Sequence, residues 1–113
     1  MNPMVEKLIQ KGVAIPNPQS VLISDDVDPE RISGDGVTIF AGCKIIGPQS
    51  LILPNCQIGY ESPVTLENTL VGEHTHLKGG FFSGAVFVGR NVFGSGAHVR
   101  TGTIIEEEAG AAH

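Results

Sequence analysis

The stretch VTIFAGCKIIGPQSLILPNCQIGYESPVTLENTLVGEHTHLKGGFFSGAVFVGRNVFGSGAHVRTGTIIEEEAG, running from Val37 to Gly110, decides how this chain folds. An aliphatic or aromatic residue returns in it at a near-constant interval: Ile39, Ile45, Ile52, Ile58, Val64, Val71, Leu77, Phe82, Val88, Phe93, Val99 and Ile105, in steps of five to seven. A helix would repeat its apolar residues every three to four places and a single strand every two. A longer fixed interval is the mark of a solenoid.

Two places before most anchors stands a smaller residue, among them Cys43, Ser50, Cys56, Ser62, Thr69, Thr75 and Ala97. In a strand these two positions share a face, so both point inward, and the glycines after Ile58, Val71, Val88 and Phe93 suit the turns. Grouped by three, the anchors predict coils whose stacking makes three columns: Ile39, Ile58, Leu77, Phe93; Ile45, Val64, Phe82, Val99; and Ile52, Val71, Val88, Ile105. All three columns are apolar throughout. The expected object is an all-β parallel β-helix of about four coils, ~19 Å long at the ~4.8 Å strand spacing. Leu51, Leu53 and Phe87 then point outward as scattered apolar residues.

Working outward, Met4 to Lys11 places Val5, Leu8 and Ile9 on one helical face, and Gly12 ends the helix. Val13–Ile15 and Val21–Ile23 read as brief strands separated by Pro16-Asn17-Pro18. Asp25 to Gly36 reads as a loop or an incomplete first coil. The division expected is a helix and lead-in segment over 1–36 and the β-helix over 37–113. Gly110-Ala111-Ala112-His113 resembles the opening of a further coil, so the β-helix is expected to be incomplete at its C-terminal end.

The 113 residues carry a formal net charge of −5, which argues against a nucleic-acid surface. No segment has the apolar length of a membrane span and the first ten residues lack a signal-peptide core; a cytoplasmic location is the default. Cys43 and Cys56 fall in inward slots on different faces and are expected to be buried free thiols rather than a disulfide or metal pair.

Several segments carry a family likeness. Leu8-x3-Gly12-Val13-x-Ile15-x2-Pro18 is followed by Gly36-Val37-x-Ile39, then by Glu67-Asn68-Thr69-Leu70-Val71-Gly72, then by Gly94-x-Gly96-Ala97-His98-Val99-Arg100-x-Gly102 and Glu108-Ala109-Gly110-Ala111-Ala112-His113. In this order they resemble the β-helix of the bacterial bifunctional N-acetylglucosamine-1-phosphate uridyltransferase/glucosamine-1-phosphate acetyltransferase family, within the hexapeptide-repeat acyltransferases. The resemblance implies a left-handed helix, against the usual right-handed preference of parallel crossovers, and a homotrimer with active sites between subunits. It implies acetyl transfer from acetyl-CoA to a hexosamine phosphate in the UDP-N-acetylglucosamine pathway of cell wall biosynthesis. The family's nucleotide-binding domain has no counterpart here, and its catalytic histidine belongs to a later coil, so no catalytic base is assigned and this chain alone is expected to be inactive.

Arg100 is the residue carried over. The resemblance implies that its forked guanidinium contacts the acceptor's phosphate; otherwise it is a solvent-facing turn residue. His74, His76 and His98 invite a zinc reading of the γ-carbonic-anhydrase kind, but the H-x4-H spacing of that branch is missing, and no metal ligand is assigned. His98 and His113 match no catalytic segment. Lys44, Lys78 and Arg90 read as solubilising charges, and Gly79-Gly80 as relief of crowding beside Phe81 and Phe82. The rival to the enzyme is a non-catalytic β-helix scaffold for trimerisation or regulation.

Overall fold

The computed structural model describes residues 2–89 in full and, beyond them, the backbone of the strands within 92–93, 97–99, 104–105 and 110–111. In chain order the elements are helix α1 (Pro3–Lys11) and strands β1 (Leu22–Ile23), β2 (Thr38–Ile39), β3 (Lys44–Ile46), β4 (Leu51–Ile52), β5 (Gln57–Ile58), β6 (Val64–Glu67), β7 (Leu70–Val71), β8 (His76–Leu77), β9 (Gly80–Ser83), β10 (Val86–Phe87), β11 (Val92–Phe93), β12 (Ala97–Val99), β13 (Ile104–Ile105) and β14 (Gly110–Ala111). Each strand pairs in parallel with strands a full turn away in the chain. The first face is β2-β5-β8-β11-β14, the second β1-β3-β6-β9-β12, and the third β4-β7-β10-β13. This is a three-sided parallel β-solenoid of about three turns with one short helix, close to the four coils expected.

The first column stands as read: Ile39 is in register with Ile58, Ile58 with Leu77, and Leu77 with Phe93. Ile39, Ile58 and Leu77 are fully buried, and burial of each such side chain stabilises by roughly 1.5–3 kcal/mol.

Two anchors are corrected. In the second column the partner of both Ile45 and Phe82 is Leu66, not Val64. Strand β6 is four residues long, so Val64 and Leu66 both point inward, and Val64 takes the small slot opposite Gly80. In the third column the partner of Val71 is Phe87, not Val88. The turn at Gly84 (φ 62) is tight enough to bring Ala85 into the inward slot. Two places on, Phe87 is therefore buried and Val88 is 52 % exposed. The rings of Phe82 and Phe87 meet inside the tube edge to face, 5.1 Å apart.

The corner between the second and third faces is made by left-handed residues in successive coils: Gly47 (φ 98), Asn68 (φ 46) and Gly84 (φ 62). Asn68 tolerates this region because its short amide bonds locally. Its Oδ1 accepts from the Gln49 backbone N–H at 3.1 Å. A side chain at Gly47 would collide with that amide.

The N-terminal segment is an incomplete coil already in register. Ala14 bridges to Thr38, β1 pairs with β3, and Ile32 bridges to Ile52. Helix α1 closes the end of the tube. The Asn2 carboxamide accepts from Met4 N–H at 2.8 Å and donates to the Ile23 carbonyl at 3.0 Å. It thereby caps the helix and satisfies an outward group of the first strand. Gly12 ends the helix in a left-handed conformation with bonds to the carbonyls of Ile9 and Leu8. Met4, Val5 and Leu8 are buried against the first coil, whereas Ile9 is 39 % exposed and is not part of the packed face. Among the described residues no helix is long and apolar enough to cross a membrane.

Candidate functional site

The described side chains converge most clearly at the corner of the second and third faces. There Gln49, Glu67, Asn68, Leu70, Ser83 and Val86 border an open groove of about 470 Å³. Glu67 and Ser83 are register partners on β6 and β9. The Ser83 hydroxyl donates to Glu67 Oε1 at 2.7 Å. Below them Thr69 is fully buried, and its hydroxyl shares its one proton between the carbonyls of Glu67 (3.1 Å) and Phe82 (3.0 Å). That shared contact ties the turn to both coils through the Glu67 and Phe82 backbone, while the Glu67 carboxylate itself is held by Ser83. The groove offers hydrogen-bond acceptors and donors over an aliphatic floor. Among the described residues, those that line it include no histidine and no cation.

A second groove, of about 570 Å³, lies between the N-terminal segment and β3. Asn2, Pro18, Gln19, Ser20, Leu22 and the exposed Lys44 line it. No protein family, no curated protein and no solved structure matches this sequence.

The two histidines whose side chains are described, His74 and His76, face different surroundings. His74 is exposed on a turn with φ 58. His76, on β8 of the first face, meets the ring of Tyr60 edge-on at 6.4 Å. His98 belongs to β12 of the second face, opposite Phe81. Among the described residues no three His, Cys, Asp or Glu side chains gather as a metal site. Arg100, Arg90 and His113 lie outside the described residues. Lys78 forms an exposed ion pair with Glu61 at 3.7 Å, a contact of little energetic weight. Gly79 makes room for Ser62, whose Oγ would clash with any added Cβ; the relief is toward the previous coil rather than toward Phe81 and Phe82.

Cys43 and Cys56 are buried and free, as expected. Burial pushes the Cys43 thiol up, partly opposed by the backbone N–H groups of Val64 and Phe40. The Cys56 thiol, in contact with the Gly72 carbonyl at 3.1 Å, is pushed up to about 11, chiefly by burial. Both remain protonated at neutral pH and are poor nucleophiles.

Sequence reasoning quoted Glu67 only as part of a segment and passed over Ser83. What joins them is the coil register, which brings together two residues 16 apart in the chain. The available signal was a polar residue at the same outward place of successive coils.

Proposed function

We propose that this chain supplies the opening coils of a solenoid acyltransferase acting on a hexosamine phosphate, working as a homotrimer of left-handed helices. In the natural protein the sugar amine attacks the thioester carbonyl of acetyl-CoA. The C–N bond forms as the C–S bond breaks, and coenzyme A leaves as the thiol with the proton that a general base takes from the amine. Arg100 holds the acceptor's phosphate through its paired N–H donors. The observation that carries the reading is the stacking of the coils in parallel register, with Glu67-Asn68-Thr69-Leu70-Val71-Gly72 forming a coil corner beside the groove.

The test is thiol release from acetyl-CoA in the presence of glucosamine 1-phosphate, using the natural full-length protein. Arg100→Ala is expected to raise the KM for the sugar phosphate severalfold with little change for acetyl-CoA. No thiol release, or unchanged acceptor kinetics, overturns the assignment.

A second reading is a non-catalytic scaffold for trimerisation or regulation, which the parallel stacking of the coils supports as well as it supports an enzyme. A full-length protein that assembles but releases no thiol with any hexosamine phosphate supports it.

A further inference from the structure

The groove at the corner of the second and third faces offers mainly hydrogen-bond acceptors. The Ser83 hydroxyl proton is committed to Glu67 Oε1, so Ser83 has only lone pairs left to give. Among the described residues the other carboxylate oxygen of Glu67 bonds no donor, and no cation is paired with it. Asn68 Oδ1 takes the Gln49 backbone N–H and keeps a second lone pair, and the exposed Gln49 carboxamide adds another oxygen. The two carboxamide NH2 groups are the donors among these side chains. Arg31 reaches the Gln49 and Ser50 carbonyls from the first coil but does not line the groove. The floor is aliphatic: Leu70 and Val86 stand in register with each other and with Leu51 as an outward strip on the third face, and the groove lies over the first two.

From this we infer that the groove binds a small primary alkylammonium ion, its head on Glu67 and its methylene stem over Leu70 and Val86. An ammonium carries three donors and no acceptor, which matches the free carboxylate oxygen, the Ser83 lone pair and a carboxamide oxygen. An anion would meet the carboxylate head on, and an alcohol of the same length would leave its charge unanswered. Glu67 is half-buried, where a charge-assisted bond is stronger than in open water. The stem covers apolar surface as the chain of a lysine does when its charged end stays wet. The formal net charge of −5 draws cations toward the surface as a whole; the groove adds the fit. The inference goes beyond the acyltransferase reading and does not rest on it.

The experiment is a ligand-observed NMR titration of the full chain with n-butylammonium, n-butanol and methylammonium. For n-butylammonium the signal should saturate with a Kd on the order of millimolar. n-Butanol should bind about tenfold more weakly and methylammonium severalfold more weakly. Glu67→Gln should weaken n-butylammonium about tenfold, and Gln49→Lys, which sets a competing ammonium at the rim, should abolish binding. Glu61→Gln removes the same charge from a carboxylate outside the groove and should change nothing. Circular dichroism establishes that each variant is folded; Gln49 is exposed, so its variant decides the matter if Glu67→Gln fails to fold. Absence of saturation overturns the inference, as does n-butanol or methylammonium binding as tightly as n-butylammonium. An equal loss in Glu61→Gln overturns it in favour of diffuse attraction to an acidic surface. Binding seen only in Arg100→Ala overturns it too, the carboxylate then serving an internal ion pair. Neither acetyl-CoA nor a sugar phosphate enters the test, so failure of either reading leaves the other standing.

Discussion

Between Val13 and Ile32 the chain makes its first circuit by way of prolines and two short 3-10 turns, at Pro18–Ser20 and Pro29–Arg31. From Val37 to Val88 it circles through left-handed corners of glycine, asparagine and, at His74, histidine. Both regions deliver one large apolar side chain to each face: Ile23 joins the column of Ile45, Leu66 and Phe82, and Ile32 that of Ile52, Val71 and Phe87. What differs is the other side of each coil. A middle coil has a neighbour above and below, so its backbone groups are met by backbone. The first coil has a neighbour on one side only, and there side chains and a helix must finish the work: Asn2 on the Ile23 carbonyl, and the Lys11 ammonium on the Pro29 carbonyl at 2.7 Å. The connections can be irregular so long as the register holds, but the end needs dedicated chemistry.

The largest test of this contrast sets the middle of the tube against its plug. Phe82→Ala removes a buried ring that meets Phe87 and stands in register with Leu66, and should cost about 3–5 kcal/mol. Leu8→Ala hollows the plug, where α1 can settle inward, and should fall toward the lower end of the roughly 2–5 kcal/mol range. Urea unfolding measures both; a costlier Leu8→Ala would mean that the end, not the middle, limits stability.

The next effect is one of pH. The Cys56 thiol is raised in the fold to about 11 from an ordinary value near 9. The unfolded chain therefore loses its proton first as pH rises. The contribution is whole below about 9 and drains between there and about 11, at ~1.4 kcal/mol per pH unit. Cys56→Ala should flatten that part of the curve, and an unchanged slope would show that the thiol is not shielded.

The smallest effect belongs to the cap. Asn2→Ala forfeits the bonds to Met4 N–H and the Ile23 carbonyl and should cost about 1 kcal/mol. Hydrogen exchange should quicken in α1 and the first coil while the amides of β6 and β9 keep their protection. Uniform quickening would erase the distinction between the two regions.

How much of this was legible follows from what periodicity can carry. The interval between anchors gave the tube, the three faces and the first column without error, because an inward residue is forced to recur once per face. It failed at Val64 and at Val88, where strand length and a tight turn at Gly84 shifted the phase by residues that look equally apolar. Met4 and Ile9 exchanged roles for a similar reason: one helical turn does not say which way it leans on the first coil. The outer strip of Leu51, Leu70 and Val86 was hidden because alignment across coils depends on register, and register depends on every corner in between. The groove was hidden in the same way. Arg100 rests on resemblance alone, since it lies outside the described residues.

Cys43 illustrates what such corners imply for the history of the chain. Its sulfur occupies a hollow left by Gly59 in the following coil, where even a methyl group would sit 2.4 Å from it. Asn68 keys against Gly47 in the same manner, and Ser62 against Gly79. Each turn of the tube is therefore fitted to the particular turn beside it. Duplicating or reordering turns would set bulk against bulk, and lengthening by copying would require both members of a fitted pair to change together.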